Sequence, residues 1–414
     1  MRFPVSGANH VSMKIAVVNN FFPPRPGGSS HLADHLARHY ARRGHEVLVL
    51  TAAYSDAPER EDRDGVTIVR IPAWTLPKTR LAANFDIAFT ISPRAKRRVF
   101  EVLDDFAPDA VHQHGQFFDL TWLSGWWARR RGVPTLLSIH TRLESPLSRF
   151  NSMVYALADM ILVTPLMRLH RPRLVVMDRL MDAYIDKRYR RAISGKVVIP
   201  VGIDPERMRG GDPTRLPAQL DSGSRPLIVS LGHVIPQRNR IALVEALPAV
   251  LERHPDALVV VVGGVYHDAF LTRAQELGIA DSVVALGARP QHEIPDVLAA
   301  AALEVHELEG QGFGTASLEA LAAGTPVVAA VREDNFLSIP LEDGTHLFLS
   351  PTRGGGDERA DVAGLARVIA HVLDDPDAAR RRVSDNAREL IDAHFTIDSV
   401  GDAHLVVLEE MARA

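Results

Sequence analysis

The densest chemistry in the chain lies at residues 307–328, Glu-Leu-Glu-Gly-Gln-Gly-Phe-Gly-Thr-Ala-Ser-Leu-Glu-Ala-Leu-Ala-Ala-Gly-Thr-Pro-Val-Val. Gly310, Gly312 and Gly314 let a backbone pass close to a ligand, and a short helix is predicted to start near Thr315 and stop at Gly324-Thr325-Pro326. N–H groups at such a helix start can hold a phosphate. Glu319, one turn further in, can accept hydrogen bonds from a pair of ribose hydroxyls. A second loop, residues 19–30, carries Gly27-Gly28 and runs straight into a helix. Its paired glycines and helix start suit an anion as well, although a Gly-Gly turn by itself is more often structural.

Both loops need strands to aim them. In the first half, β-branched apolar runs at 15–18, 47–50, 66–71, 110–112, 135–139 and 197–199 read as parallel strands buried on both faces. Between the first two, Leu32, Leu36 and Tyr40 recur at helical spacing behind a Ser29-Ser30 cap, and Gly44 ends the helix. The second half repeats the pattern, with strands expected at 227–230, 258–262, 283–286, 303–305, 327–331 and 347–349. Two doubly wound α/β domains therefore follow one another, and a ligand is expected at the carboxyl ends of their strands. The expected division is an extension at 1–12, a first domain at 13–205, a linker at 206–226, a second domain at 227–395, and a C-terminal helix at 396–414 that returns to the first. Residues 153–167 form a more apolar helix, for which a core position is the ordinary reading and an interfacial one the alternative.

Composition is that of an ordinary globular protein, with 46% hydrophobic and 24% charged residues over 414 positions. The absence of cysteine excludes disulfides, thiolate metal sites and cysteine nucleophiles. No apolar run reaches the length of a membrane span, and a cytoplasmic protein is expected. Net charge divides sharply: residues 1–200 hold 29 Lys+Arg against 18 Asp+Glu, an excess of +11, and the remainder is at -15. A solvated arginine-rich surface explains this, as does attraction to an anionic acceptor or membrane, so weak peripheral contact is an expectation. Nothing in the pattern suggests nucleic acid.

The run 311–328 resembles the donor loop of the family 4 glycosyltransferases of GT-B fold, in which two glutamates stand eight positions apart around Gly-Phe-Gly. Here Gln311, Gly312, Phe313, Gly314, Thr315 and Glu319 match, with Gln311 replacing the first glutamate. That glutamate contacts the donor sugar in the family, and either Gln311 or the nearby Glu309 could serve. The segment 231–239, Leu-Gly-His-Val-Ile-Pro-Gln-Arg-Asn, is similar to the family's Gly-Arg then Lys-Gly stretch, whose two cations clamp the donor diphosphate. Arg238 takes the lysine's place and His233 the arginine's, giving one permanent cation and one pH-dependent one. His140 stands where the family sets a histidine beside the donor sugar, and His112 and His114 are read as acceptor contacts or packing.

The resemblance implies two Rossmann-like domains facing each other across a cleft. It implies retaining, metal-independent transfer of a hexosyl group from a nucleotide sugar to a hydroxyl acceptor. No cofactor beyond the donor is expected. Arg238, His233 and the backbones of Gly27, Gly28, Gly314 and Thr315 would stabilise the leaving diphosphate, with Arg238 and His140 as the catalytic candidates. A nucleotide-sugar epimerase and a catalytically silent sugar-nucleotide binder are the rival readings.

Overall fold

The structure, a computed structural model, describes residues 12–25, 28–75, 88–142, 149–217, 220 and 225–414. The chain forms two units, Met1–Gly202 with Ile397–Ala414, and Ile203–Thr396. Of the expected N-terminal extension only Ser12 is described, and its hydroxyl donates to the Gly44 carbonyl at 2.8 Å.

The first unit is built on strands β1 Lys14–Asn19, β2 Glu46–Ala52, β3 Arg60–Arg63, β4 Val66–Ile71, β5 Ala110–His114, β6 Thr135–Ser138, β7 Arg173–Val176 and β8 Gly195–Val198. They lie in the order β8-β7-β6-β5-β1-β2-β4-β3, parallel except for the edge strand β3. Ile15 through Val18 are fully buried because both faces carry helices. Among the helices are α1 Gly28–Arg42, α2 Asp119–Arg131, α3 Arg149–Ala158, α4 Thr164–His170 and α5 Arg179–Arg188. Strand β7 is absent from the sequence reading: its arginine-rich lead-in looks solvated, yet Leu174, Val175 and Val176 are fully buried.

Two further expectations change. Helix α1 begins at Gly28, so Ser29 and Ser30 fall inside its first turn; the Ser30 hydroxyl donates back to the Arg25 carbonyl at 2.7 Å. Residues 153–167 are not a core helix. A π turn, Asp159–Val163, joins α3 to α4, and Met153, Leu157, Met160 and Ile161 are each half exposed or more.

The C-terminal helix Ile397–Arg413 gives Val400, Ala403, Leu405, Val407 and Leu408 to the first unit's core. His39 on α1 is held between Asp398 and Asp402 of that helix at 2.9 and 2.8 Å.

The second unit has six parallel strands, β9 Leu227–Leu231, β10 Leu258–Val262, β11 Val283–Gly287, β12 Leu303–Val305, β13 Val327–Ala329 and β14 Phe348–Leu349. Their order is β11-β10-β9-β12-β13-β14. Five consecutive buried residues in β9 and in β10 make its centre. The strand order turns back between β9 and β12, a switch point at which open α/β sheets bind ligands. Helix α6 Thr315–Ala323 follows β12 across the glycine loop and ends at Gly324, which has φ +77°.

Candidate functional site

In the second unit the loops after β9 and β12 meet. Glu307, two residues past β12, is buried, and its Oε1 accepts the Gly314 N–H at 2.8 Å. The same oxygen lies 3.2 Å from His306 Nε2 and 3.8 Å from an Arg238 terminal nitrogen. A Cβ on Gly314 would stand 2.6 Å from that oxygen and 3.3 Å from both Arg238 terminal nitrogens, so no side chain fits without moving the cluster. The first helical bond of α6 is Leu318 N–H to the Gly314 carbonyl at 3.3 Å. The N–H groups of Thr315, Ala316 and Ser317 therefore precede any intrahelical acceptor.

The tautomer of His306 follows from its neighbours. Arg240 donates to Nδ1 at 2.7 Å, so Nδ1 carries the lone pair and Nε2 the proton, with the Glu307 carboxylate 3.2 Å from Nε2. The 3.2 Å approach of Arg238 to Nε2 is then a contact of two donors, stabilised by the nearby carboxylate. Burial, then Arg240 and Arg238, hold the imidazole pKa well below its ordinary value. Arg240, nearly fully buried and at φ +64°, also donates to the carbonyls of Arg238, Leu231 and Gly232. Burial brings its pKa down to about 10, which leaves it charged at neutral pH.

The geometry corrects three expectations. His233 is not a second cation: its Nδ1 accepts the Gly264 N–H at 3.0 Å, and burial followed by Arg240 lowers its pKa. The second guanidinium is Arg240, occupied by carbonyls and His306, so it shapes the loop that carries Arg238. The Gly314 N–H is held by Glu307, so the first-turn N–H groups that lack an intrahelical acceptor begin at Thr315. Phe313 turns its ring into the core, 4% exposed and edge-on to Phe336, and so anchors the loop.

Arg238, with a third of its side chain exposed, remains the cation at the mouth of the cluster. Gly312 is in the left-handed region at φ +84°, as the loop's turn requires. Gln311 donates to the Glu309 carbonyl at 3.4 Å. Glu309 pairs with the 352–360 hairpin through its bridge to Arg359, and burial raises its carboxyl pKa against the pull of Arg359. Glu319 is half-buried on α6, and burial pushes it up to about 7 with Arg207 opposing. Beneath α6, the fully buried Glu304 accepts from Ser317 Oγ at 3.2 Å, and burial, then Glu307, raises it to about 8.

In the first unit, His114 and His140 stack with rings 2° from parallel, His114 Nδ1 to His140 Nε2 at 2.9 Å. His112 sits behind them between Tyr40 and Ser138, at 3.0 and 2.9 Å. The C-terminal helix adds His404, 4.9 Å from His112 by ring centroids. Burial lowers all four, His140 and His404 to about 4, so these imidazoles are neutral at physiological pH. His112 is thereby a packing residue, whereas His140 is half-buried at its strand's end. Gly28 is exposed at the start of α1, and a Cβ there would meet nothing within 4 Å. Gly27 lies outside the described residues.

Glu307, His306 and Arg240 join the site only in the structure. His306 and Glu307 directly precede the glycine loop, and Arg240 lies two residues past Arg238, so their nearness to the loop is the one sequence signal they carry.

Comparison with known proteins follows the same two-unit division. Residues 27–192 match the glycosyl transferase 4-like domain and residues 214–390 the glycosyl transferases group 1 domain. A D-inositol 3-phosphate glycosyltransferase of Actinosynnema mirum is 32% identical over 73% of this chain and 76% of its own length. A GDP-mannose-dependent alpha-(1-6)-phosphatidylinositol dimannoside mannosyltransferase of Mycobacterium tuberculosis is 25% identical over 97% of each chain. Among solved structures, Anabaena HepE in complex with UDP and glucose superposes with a TM-score of 0.70, at 20% identity over 96% of this chain and all of that one.

Proposed function

The chain belongs to the family 4 glycosyltransferases of GT-B fold, enzymes that take sugar from nucleotide-sugar donors, and we propose that it transfers a hexosyl group with retention and without a metal ion. The observation that carries this reading is the convergence of Arg238 with the first-turn N–H groups of α6 beside Glu307. A cation and a helix N-terminus together suit a diphosphate on which two negative charges develop.

In the proposed reaction the anomeric C–O bond to the diphosphate breaks and its electron pair leaves on the phosphate. The acceptor oxygen forms the new bond to the anomeric carbon from the same face, and its proton passes to the departing phosphate. Arg238 neutralises the leaving group, Glu319 accepts from the ribose hydroxyls, and Gln311 or Glu309 reads the hexose. Neutral His140 is a hydrogen-bonding group toward the sugar, because an imidazolium would disfavour the positive charge developing on the ring.

The donor is a nucleoside diphosphate hexose, and GDP-mannose is the first to test given the mannosyltransferase relative. Both named relatives act, by their names, on inositol-bearing acceptors, which makes inositol phosphates and phosphoinositides the first acceptor panel. The proposed reaction belongs on the cytoplasmic side, with any contact at the inner membrane surface peripheral. Incubating the chain with a panel of donors, with and without these acceptors, tests the reading. Transfer or slow donor hydrolysis supports it. Interconversion of the donor sugars supports the epimerase alternative, and tight binding with neither reaction a silent binder.

A further inference from the structure

The segment Met153–His170 is long and apolar, yet 17% of it is buried. A surface helix of a soluble protein turns its apolar stripe inward. This one keeps Val163, Met167 and His170 against the first unit and turns the larger apolar set out: Met153, Leu157, Met160, Ile161, Leu162 and Leu169 are all at least 40% exposed. The π turn Asp159–Val163 produces part of this arrangement. Its wider turn lets three consecutive residues, Met160, Ile161 and Leu162, face outward at 61%, 64% and 40%.

The turn is pinned from below. Asp159, fully buried, accepts from Tyr184 Oη at 3.1 Å and from the Tyr189 hydroxyl. These bonds set the end of α5 beside the π turn and bring along Lys187, Arg190 and Arg191, all exposed, while Arg168 and Arg171 extend from the helix's own end. Residues 160–191 contain eight arginines and lysines against three aspartates. A broad apolar face beside a band of exposed cations matches an interfacial helix, whose apolar side enters the acyl boundary while basic side chains meet anionic headgroups.

We propose that Met153–His170 is a docking surface for an anionic lipid bilayer. It takes the cytoplasmic leaflet from the functional reading above, and in that respect alone rests on it. The segment lies along the interface and does not span: Asp159 and the residues packed against the core tie it to the first unit. Cations alone would release as salt rises. With the apolar face exposed, salt weakens attachment without abolishing it.

The full chain is sedimented with vesicles of equimolar phosphatidylcholine and phosphatidylglycerol, and with phosphatidylcholine alone, at low and near-physiological ionic strength, without donor or acceptor. Wild type partitions into the anionic vesicles at both ionic strengths and much less into the neutral ones. M160E/I161E lowers that partitioning at least about tenfold, and R190E/R191E lowers it and flattens the salt dependence. Far-UV circular dichroism and Tm match wild type in both variants, as expected for exposed positions. Donor hydrolysis by M160E/I161E also matches wild type, so loss of the transferase reading and loss of this one are told apart. Absence of binding to anionic vesicles at low salt overturns the proposal, as does equal partitioning into neutral ones. A wild-type dimer in sedimentation velocity that M160E/I161E converts to monomer, with no vesicle binding, overturns it in favour of self-association.

Discussion

Glu307 is the residue on which the donor-site geometry turns. Its carboxylate caps α6 through the Gly314 N–H and lies 3.2 Å from His306 Nε2 and 3.8 Å from Arg238, so it holds the position next to which a diphosphate would bind. Glu307→Gln keeps an acceptor for the Gly314 N–H and removes the repulsion. Nucleoside diphosphate should then bind about threefold or more tightly by calorimetry, a small fraction of the Coulomb energy of two like charges at that range. Glu307→Ala loses the cap and should cost about 1 kcal/mol of stability. Arg238→Ala removes the cation at the mouth of the cluster and should lower kcat at least about tenfold with little change in Tm; wild-type turnover would remove Arg238 from the chemistry. Glu319 gives a pH signature. Burial pushes its pKa up to about 7, so the carboxylate proposed to accept ribose hydroxyls forms as pH rises through neutrality. Nucleotide affinity should therefore fall on acidification from pH 8 to 6 by roughly one protonation's worth, at most about tenfold per unit, and Glu319→Gln should flatten the profile.

At the scale of elements, the strand-loop-helix units were legible because their signals are local. Apolar runs named β1, β2, β4, β9, β10 and β12 nearly to the residue, and Gly324-Thr325-Pro326 marked the end of α6. What stayed hidden depends on contacts distant in sequence. Strand β7 looks polar until β6 and β8 flank it, and the exposure of 153–167 is decided by what does not cover it. His233 looked like a cation until Gly264 supplied the N–H that uses its lone pair. Helix α1 offers a test: the open space at Gly28 means that Gly28→Ala should leave Tm within about 2 °C. If the donor approaches this helix start, the added methyl weakens donor binding, and an unchanged Kd would remove the loop from the site. Under α6, Glu304 is held near pKa 8, far above an exposed carboxyl. The folded state thus keeps a proton that the unfolded chain has lost, so this group withdraws stability as pH rises from about 4.5 to 8. Glu304→Gln should raise Tm at pH 8 and change it little at pH 5; an equal shift at both would mean that the carboxyl is not protonated in the fold.

Charge is divided along the chain, with residues 1–200 at +11 and the remainder at -15. The cations of the negative half are local: Arg238 is a third exposed beside Glu307, the place proposed for the diphosphate, while Arg240 is buried against His306. The positive half carries the neutral histidine stack and the exposed helix, features suited to an acceptor at an anionic surface. The leaving group is held by guanidinium and helix N–H groups in this account, so excess EDTA should leave turnover unchanged, and loss that magnesium or manganese restores would point to a metal. The most direct measurement is the anomeric configuration of the product, read by proton NMR from the α-linked donor that supports turnover, in the presence of EDTA. An α-linked glycoside, formed as fast with EDTA as without it, is the expected result. A β-linked product, or a donor epimerised with no glycoside formed, would contradict it.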